Sequence, residues 1–289
     1  MSVDRKNIFN LSVVIPTCSR PELLRACLKR LHPLIQNIDR SSYEVIVSDD
    51  RPSDFTRSML ERLDPLIRYT AGPGRGPAAN RNHGASLALC DWIVFLDDDC
   101  VPEPNLLGTY QERLLHDETC RVFEGRISAL GERTTIDQEA PINEHGGFLW
   151  SCNFCIKKEL FLGMDGFDET FTGPAMEDVD LRERLRARGE PIAFLKNAGV
   201  LHPWRRRKGM WFAKINAEAH RSFFKKHGYP SRIMSLWHCE RMLRGIVRNV
   251  LRDGHLYGYK GSLRYIILEM HSFLVMSACV HGTRRRTAA

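Results

Sequence analysis

Three consecutive carboxylates, Asp97-Asp98-Asp99, follow directly on Trp92-Ile93-Val94-Phe95-Leu96, a run too apolar for a surface strand. At the end of a buried strand such carboxylates repel one another strongly, so the triplet calls for a cation. Hard oxygen ligands favour Mg2+ or Mn2+, ions that keep open positions for phosphate oxygens. An acidic turn left in solvent is the alternative, and the apolar strand argues against it. Glu177-Asp178 opens a second acidic stretch, ahead of an amphipathic helix that uses Leu181 and Leu185. A carboxylate there can act as a general base, taking the proton of a hydroxyl as it attacks. The plainer alternative is a helix N-cap at Asp178.

Gly72-Pro73-Gly74-Arg75-Gly76-Pro77 is glycine-rich and basic, and it leads into the Ala-rich stretch Ala78-Ala79-Asn80-Arg81-Asn82. Backbone N–H groups and the dipole at such a helix start favour phosphate, although a plain connecting loop accounts for the segment equally well. It matches neither the G-x-G-x-x-G of a dinucleotide site nor the GxxxxGK[ST] of a P-loop, so hydride transfer and ATP hydrolysis lose ground. Cys152 and Cys155 form a C-x-x-C with no second pair and no His at zinc spacing, which reads as a chance pair.

The elements that position these groups alternate. Ser12–Pro16, Tyr43–Ser48 and Trp92–Leu96 read as buried strands, with Ile67–Tyr69 as a weaker one. Between them lie a helix with Leu23, Leu24, Cys27, Leu28 and Leu31 on one face, a helix over Asp54–Leu63, and one from Pro77 to Leu89. Strands that are apolar throughout and alternate with helices predict a mostly parallel, Rossmann-like sheet covered on both faces, with ligands at the strands' carboxyl ends. Thr17, Arg20, Asp49, Asp50 and the triplet all fall at that edge. Further on, the pattern predicts a helix near 104–115, a strand near 121–129, a polar loop near 131–147, a helix from Asp178 to Arg188, and a helical region from Trp204 onward.

The ordered set SVVIPTCSRP, EVIVSDD, PAANRNHGASLALCDWIVFLDDD, GFDETF, EDVDLRERLRARG and VLHP resembles the family 2 glycosyltransferases, inverting enzymes of GT-A fold, over residues 11–204. The resemblance implies a nucleotide-sugar-binding catalytic domain at 1–204 and a basic, mainly helical extension at 205–289. It implies that Thr17, Arg20, Asp50 and Arg81 surround the nucleotide. Asp97-Asp98-Asp99 is then the DxD-type motif, with Asp98 approaching the ribose and Asp97, Asp99 and a late His202 around a Mn2+ or Mg2+ ion. Asp178 corresponds to the catalytic base and Glu177 to its acidic neighbour. Trp150, Asn153 and Asp168 lie in stretches that shape the donor-sugar and acceptor pocket. Arg75, Arg81 and Arg205-Arg206-Arg207-Lys208 are candidates to close over the diphosphate. Where members often read D-D-G-S, this chain has Asp49-Asp50-Arg51-Pro52, which changes the turn beside the base.

The implied reaction moves a hexosyl group from a nucleoside diphosphate sugar to a saccharide or lipid-linked hydroxyl, in cell-surface polysaccharide or glycolipid assembly. A nucleotidyltransferase would share the acidic site but should carry a stronger basic loop after the first strand, where only Arg20 stands. Charge is divided along the chain: residues 1–202 hold 24 Lys/Arg against 31 Asp/Glu, and residues 203–289 hold 18 against 4. A basic-tailed nucleic-acid-binding protein is the other rival, but no RNP pattern or zinc-finger spacing accompanies the tail, and no nucleic acid is expected. Arg241, Arg244, Arg248 and Arg252 recur at spacings of 3, 4 and 4 along an amphipathic helix, which suits packing on the catalytic domain or an anionic membrane surface. The nine cysteines are odd in number and scattered, and MSVDRKNIFN carries charges where a secretory leader needs an apolar run. These features predict reduced thiols in a cytoplasmic protein, peripheral on the inner face of the plasma membrane if the tail meets lipid.

Overall fold

The computed structural model describes residues 11–116 and 119–281. The charged N-terminal decapeptide and the basic run Arg284–Arg286 lie outside these residues. Strand β1 (Leu11–Thr17) is buried along its whole length, as a central strand with helices on both faces must be. Helix α1 (Pro21–Arg30) starts on Pro21 and buries Leu24, Cys27 and Leu28, while Leu23, expected on the same face, is 43% exposed. After the short α2 (Pro33–Gln36) come β2 (Tyr43–Asp49), α3 (Asp54–Leu63), β3 (Arg68–Ala71), α4 (Pro77–Ser86) and β4 (Trp92–Leu96). Ser53 caps α3 by accepting the N–H of Thr56.

The chain continues through β5 (Val101–Pro102), α5 (Leu106–His116), β6 (Val122–Leu130), β7 (Gln138–Glu139), β8 (Asn153–Lys157), α6 (Lys158–Leu162), α7 (Glu177–Ala187), β9 (Ile192–Pro203) and β10 (Arg205–Arg206). The main sheet has the order β3-β2-β1-β4-β8-β6-β9-β5. Strands β3, β2, β1 and β4 run parallel, β8 lies antiparallel between β4 and β6, and β6 pairs parallel with β9. Alternate strand residues enter two cores. Val13, Ile15, Val45, Val47 and Val94 pack under α1, α3 and α5; Val14, Ile46, Ile93 and Phe95 pack under α4, α6 and α7. The order reverses at β1, which opens a crevice beyond its carboxyl end and that of β4.

The chain forms two compact units, Met1–Leu130 with Pro141–Pro203, and Gly131–Ala140 with Trp204–Ala289. The first contains the eight-stranded sheet. In the second, β7 and β10 pair antiparallel, Trp204 Nε1 donates to Gly131 O (3.0 Å), and Arg133 Nη1 donates to Asn249 Oδ1 (2.9 Å). Its helices are α8 (Met210–Lys226), α9 (Ser231–Ile246) running on as a π-helical turn (Val247–Arg252), and α10 (Gly254–His281), which is kinked at Gly258. Among the described residues no helix is long and apolar enough to cross a membrane.

Candidate active site

The three aspartates turn to different sets of partners, with Arg20 shared between Asp98 and Asp99. Asp97 meets Arg81 Nη2 at 2.6 Å. Asp98, fully buried, accepts the Thr17 hydroxyl (2.6 Å) and pairs with Arg20 Nη2 (2.6 Å). Asp99 pairs with Arg20 Nη1 (3.2 Å) and faces His202 Nε2 at 3.6 Å. The repulsion expected from sequence is thus partly met by the chain's own guanidinium groups. Burial still pushes the Asp98 carboxyl up to about 7, with Arg20 and Thr17 opposing.

Arg81 joins this turn to the second acidic pair. Its side chain is almost wholly buried in the first turns of α4, and its other nitrogen, Nη1, reaches Glu177 Oε1 at 3.2 Å. Burial would lower its pKa, but Asp97 and Glu177 raise it, so it stays charged. Glu177 and Asp178 open α7 behind Met176, which takes a left-handed φ of 73° as the cap residue. Asp178 is therefore the second residue of the helix and not its N-cap. Its Oδ1 accepts the Val179 N–H (2.8 Å) and its Oδ2 the Ser151 N–H (3.4 Å). Burial raises both carboxyls, Glu177 to about 8 with the Asp178 charge adding to it, and Arg81 opposes the shift in each.

Two observations test whether a divalent cation suits this site. Five carboxylates, Asp97, Asp98, Asp99, Glu177 and Asp178, meet two guanidinium groups. His202 Nδ1 lies 2.9 Å from Pro203 O, which can only accept, so Nδ1 carries a proton and the other ring nitrogen, Nε2, faces Asp99 Oδ1. A 3.6 Å separation is too long for a hydrogen bond, and a carboxylate oxygen and an imidazole nitrogen so placed can share a cation. Asp99, Cys100 and His202 bring their donor atoms within 4.8 Å of one another. Cys100 is a buried thiol whose pKa is raised by its contact with Cys152 and by burial, so Asp99 and His202, with Asp97 beside them, are the donors that fit Mg2+ or Mn2+.

The other expected residues are placed differently. Asp50 accepts the N–H groups of Gly74 (3.0 Å) and Gly76 (3.2 Å), so it organises the glycine loop and occupies donors that a phosphate would use. Gly76 has φ 96°, and a Cβ there would collide with the Thr172 carbonyl. The Asn153 amide is engaged inside the sheet by Tyr110 (2.8 Å), Arg126 O and Ala198 O (both 2.9 Å). Asp168 folds onto its own turn, accepting from the Thr170 N–H and hydroxyl. Arg75 pairs with Glu169 (2.9 Å), and in the second unit Arg207 pairs with Glu139 (3.1 Å) and with Glu269. Cys152 and Cys155 are free thiols in the core. Sequence reasoning missed Asn80, a buried side chain that donates to Thr17 O (3.2 Å) and Ser48 O (3.0 Å) and so ties the ends of β1 and β2 together. It also missed Glu124, the one carboxylate of β6.

The profile of Glycosyl transferase family 2 matches residues 12–159, just over half of the chain. The chain belongs to glycosyltransferase family 2. It is 30% identical over 178 residues to the GalNAc(5)-diNAcBac-PP-undecaprenol beta-1,3-glucosyltransferase of Campylobacter jejuni, covering 56% of each chain. It is 28% identical over 269 residues to the validoxylamine A glucosyltransferase of Streptomyces hygroscopicus, covering 78% of this chain and 63% of that one. The chain thus spans 56% to 63% of the length of these two curated relatives. Its fold matches a mannosyltransferase of Pyrobaculum calidifontis in complex with GDP-Man and Mn2+, at a TM-score of 0.59 and 15% identity over 94% of this chain and 87% of that one. It also matches S. aureus TarS 1-349 with UDP, at a TM-score of 0.55 and 15% identity over 96% and 91%. The α/β architecture of this family 2 chain is the GT-A fold.

Arg81→Met should leave buried Glu177 and Asp178, and half-buried Asp97, without their shared cation. Breaking a buried pair from one side costs about 3–5 kcal/mol, to be read from the urea midpoint. An unchanged midpoint would remove Arg81 as the link between the two acidic pairs.

Proposed function

We propose that this chain transfers a hexosyl group from a nucleoside diphosphate sugar to an acceptor hydroxyl with inversion, in the assembly of a cell-surface polysaccharide or glycolipid. The observation that carries this reading is the bridge Asp97–Arg81–Glu177, which sets Asp178 in one crevice with the Asp97–Asp99 turn. Asp178 is held at both oxygens by backbone N–H groups and takes the proton of the attacking hydroxyl. Glu177, whose pKa is raised by burial and by the Asp178 charge, is held beside it by Arg81. Arg20, 40% exposed, is free to turn from Asp99 toward a diphosphate, and Thr17 holds Asp98 still. A Mn2+ or Mg2+ ion held by Asp99 and His202, with Asp97, would supply positive charge against the leaving diphosphate. The nucleotide and Mn2+ of the Pyrobaculum enzyme support the donor class and the ion. Thermal stabilisation by a panel of UDP- and GDP-sugars with Mn2+ tests the donor assignment. At least one should raise the melting temperature, and none doing so would count against it.

In this reading the two units divide the work: the sheet-bearing unit is the catalytic domain, and the second is a basic extension that meets the membrane carrying the acceptor. Leu243, Val247 and Leu251 are 53%, 55% and 75% exposed at a spacing of four along α9 and the π-helical turn, beside exposed Arg244, Arg248 and Arg252. A sequence of that kind suits the anionic headgroups of an inner leaflet, each basic residue adding about 1 kcal/mol near the surface. The full chain is expected to sediment with anionic and not with neutral vesicles, and reversal of the three arginines to Glu should release it. Equal sedimentation with both vesicle types would make the second unit ordinary structure.

A further inference from the structure

The stretch 143–151 is held from two sides. Glu124, buried on β6, accepts the N–H groups of Gly147, Phe148 (3.1 Å) and Leu149 (2.8 Å) and the side-chain amide of Asn143 (3.0 Å). Arg182, one turn beyond Asp178 on α7, donates to the carbonyls of Gly147 (3.2 Å) and Phe148 (3.3 Å). Three successive N–H groups aimed at one carboxylate curl the backbone tightly, and Leu149 takes φ 49°. A left-handed residue with a side chain costs about 1–2 kcal/mol, a strain that persists only where its surroundings impose it and that concentrates at ligand sites.

The curl sends Leu149 into the core and leaves Phe148 44% exposed, its ring stacked on Trp150 at 5.5 Å and 10°. The Trp150 indole N–H is shut off from solvent with no acceptor among the described residues, an unsatisfied donor of the kind that marks a ligand position. Ser151, which donates to Asp178, follows immediately, and consecutive Cα atoms lie about 3.8 Å apart. An exposed aromatic ring therefore lies three residues along the chain from the N–H that the Asp178 carboxylate accepts.

We infer that Phe148, backed by Trp150, is the stacking platform for the acceptor, and that the acceptor residue is a pyranose. A flat apolar face one ring wide, with the Arg182 guanidinium on the Phe148 carbonyl, matches a ligand with a C–H face and a hydroxyl edge; it is too small for a protein partner or an acyl chain. The platform orients that edge toward Asp178, so this inference rests on the glycosyl-transfer reading. Glu124 and Arg182 are positioning residues, since they act through the loop.

The test uses the full chain, methyl pyranosides of glucose, galactose, mannose and N-acetylglucosamine as probes, acyclic ribitol as the control, and saturation-transfer NMR as the readout. At least one pyranoside should bind, with saturation strongest on one set of ring C–H protons. Phe148→Ala should weaken it about three- to tenfold. Phe148→Tyr, which keeps the ring and guards against a folding artefact, should bind as the parent does. Equal binding by Phe148→Ala, or no pyranoside exceeding ribitol, would overturn the platform. Hydrolysis of a sugar nucleotide by water, followed in parallel in the parent chain, needs no acceptor subsite. Its absence in the parent chain would instead count against glycosyl transfer, whatever the binding result.

Discussion

Asp178→Asn will lower turnover by about 10² or more while leaving donor affinity nearly unchanged. That is the usual scale for a lost acid–base group, and the amide keeps the shape and one acceptor oxygen, for one of the two N–H groups, while lacking the basicity. The parent's pH profile carries the same claim. A base works ionised, and burial raises the Asp178 pKa above its ordinary value, so turnover should fall as pH drops through that raised value, higher than an exposed aspartate would give. Removing Arg81, which opposes the shift, should move this limb to still higher pH. Turnover within a factor of two of the parent in Asp178→Asn would take the role from this residue.

The second large effect is expected from Asp99→Ala, which should abolish Mn2+-dependent stabilisation by the sugar nucleotide. Asp99 is the aspartate that faces His202, whereas Asp97 turns to Arg81 and Asp98 to Thr17 and Arg20, so neither takes its place opposite the imidazole. At 100 times Kd the parent gains about 2.7 kcal/mol from its ligand, and the variant should gain none of the metal-dependent part. Full activity of the parent in chelator would contradict the metal assignment.

The first half of the sheet was legible because β1, β2 and β4 are short apolar runs closed by turn residues, and α3 falls on the expected Asp54–Leu63. The parallel alternation stops at β4, where β8 enters antiparallel. Its run, Asn153–Lys157, is only five residues long and has a polar residue at each end, so the sequence pattern gave no strand there. Strand β9 was hidden by an irregularity: the register slips between Gly125 and Arg126, so Lys196, Asn197 and Ala198 interrupt its pattern. In the site, the residue types were readable and their partners were not. Arg81 belongs to a helix that sequence reads as a phosphate cradle, yet tertiary packing turns its guanidinium to Asp97 and Glu177. Asp50 likewise serves the glycine loop, a pairing across 24 residues that no local pattern encodes. In the tail, the helical period was visible, but the exposure of Leu243, Val247 and Leu251 depends on how α9 and α10 pack.

Proton NMR of a single reaction tests the central claim most directly. With a sugar nucleotide that stabilises the chain, Mn2+ and a pyranoside acceptor, the α-anomeric donor signal should give way to a β-linked product as free nucleoside diphosphate accumulates. An α-linked product, or pyrophosphate in place of nucleoside diphosphate, would contradict inverting glycosyl transfer by Asp178.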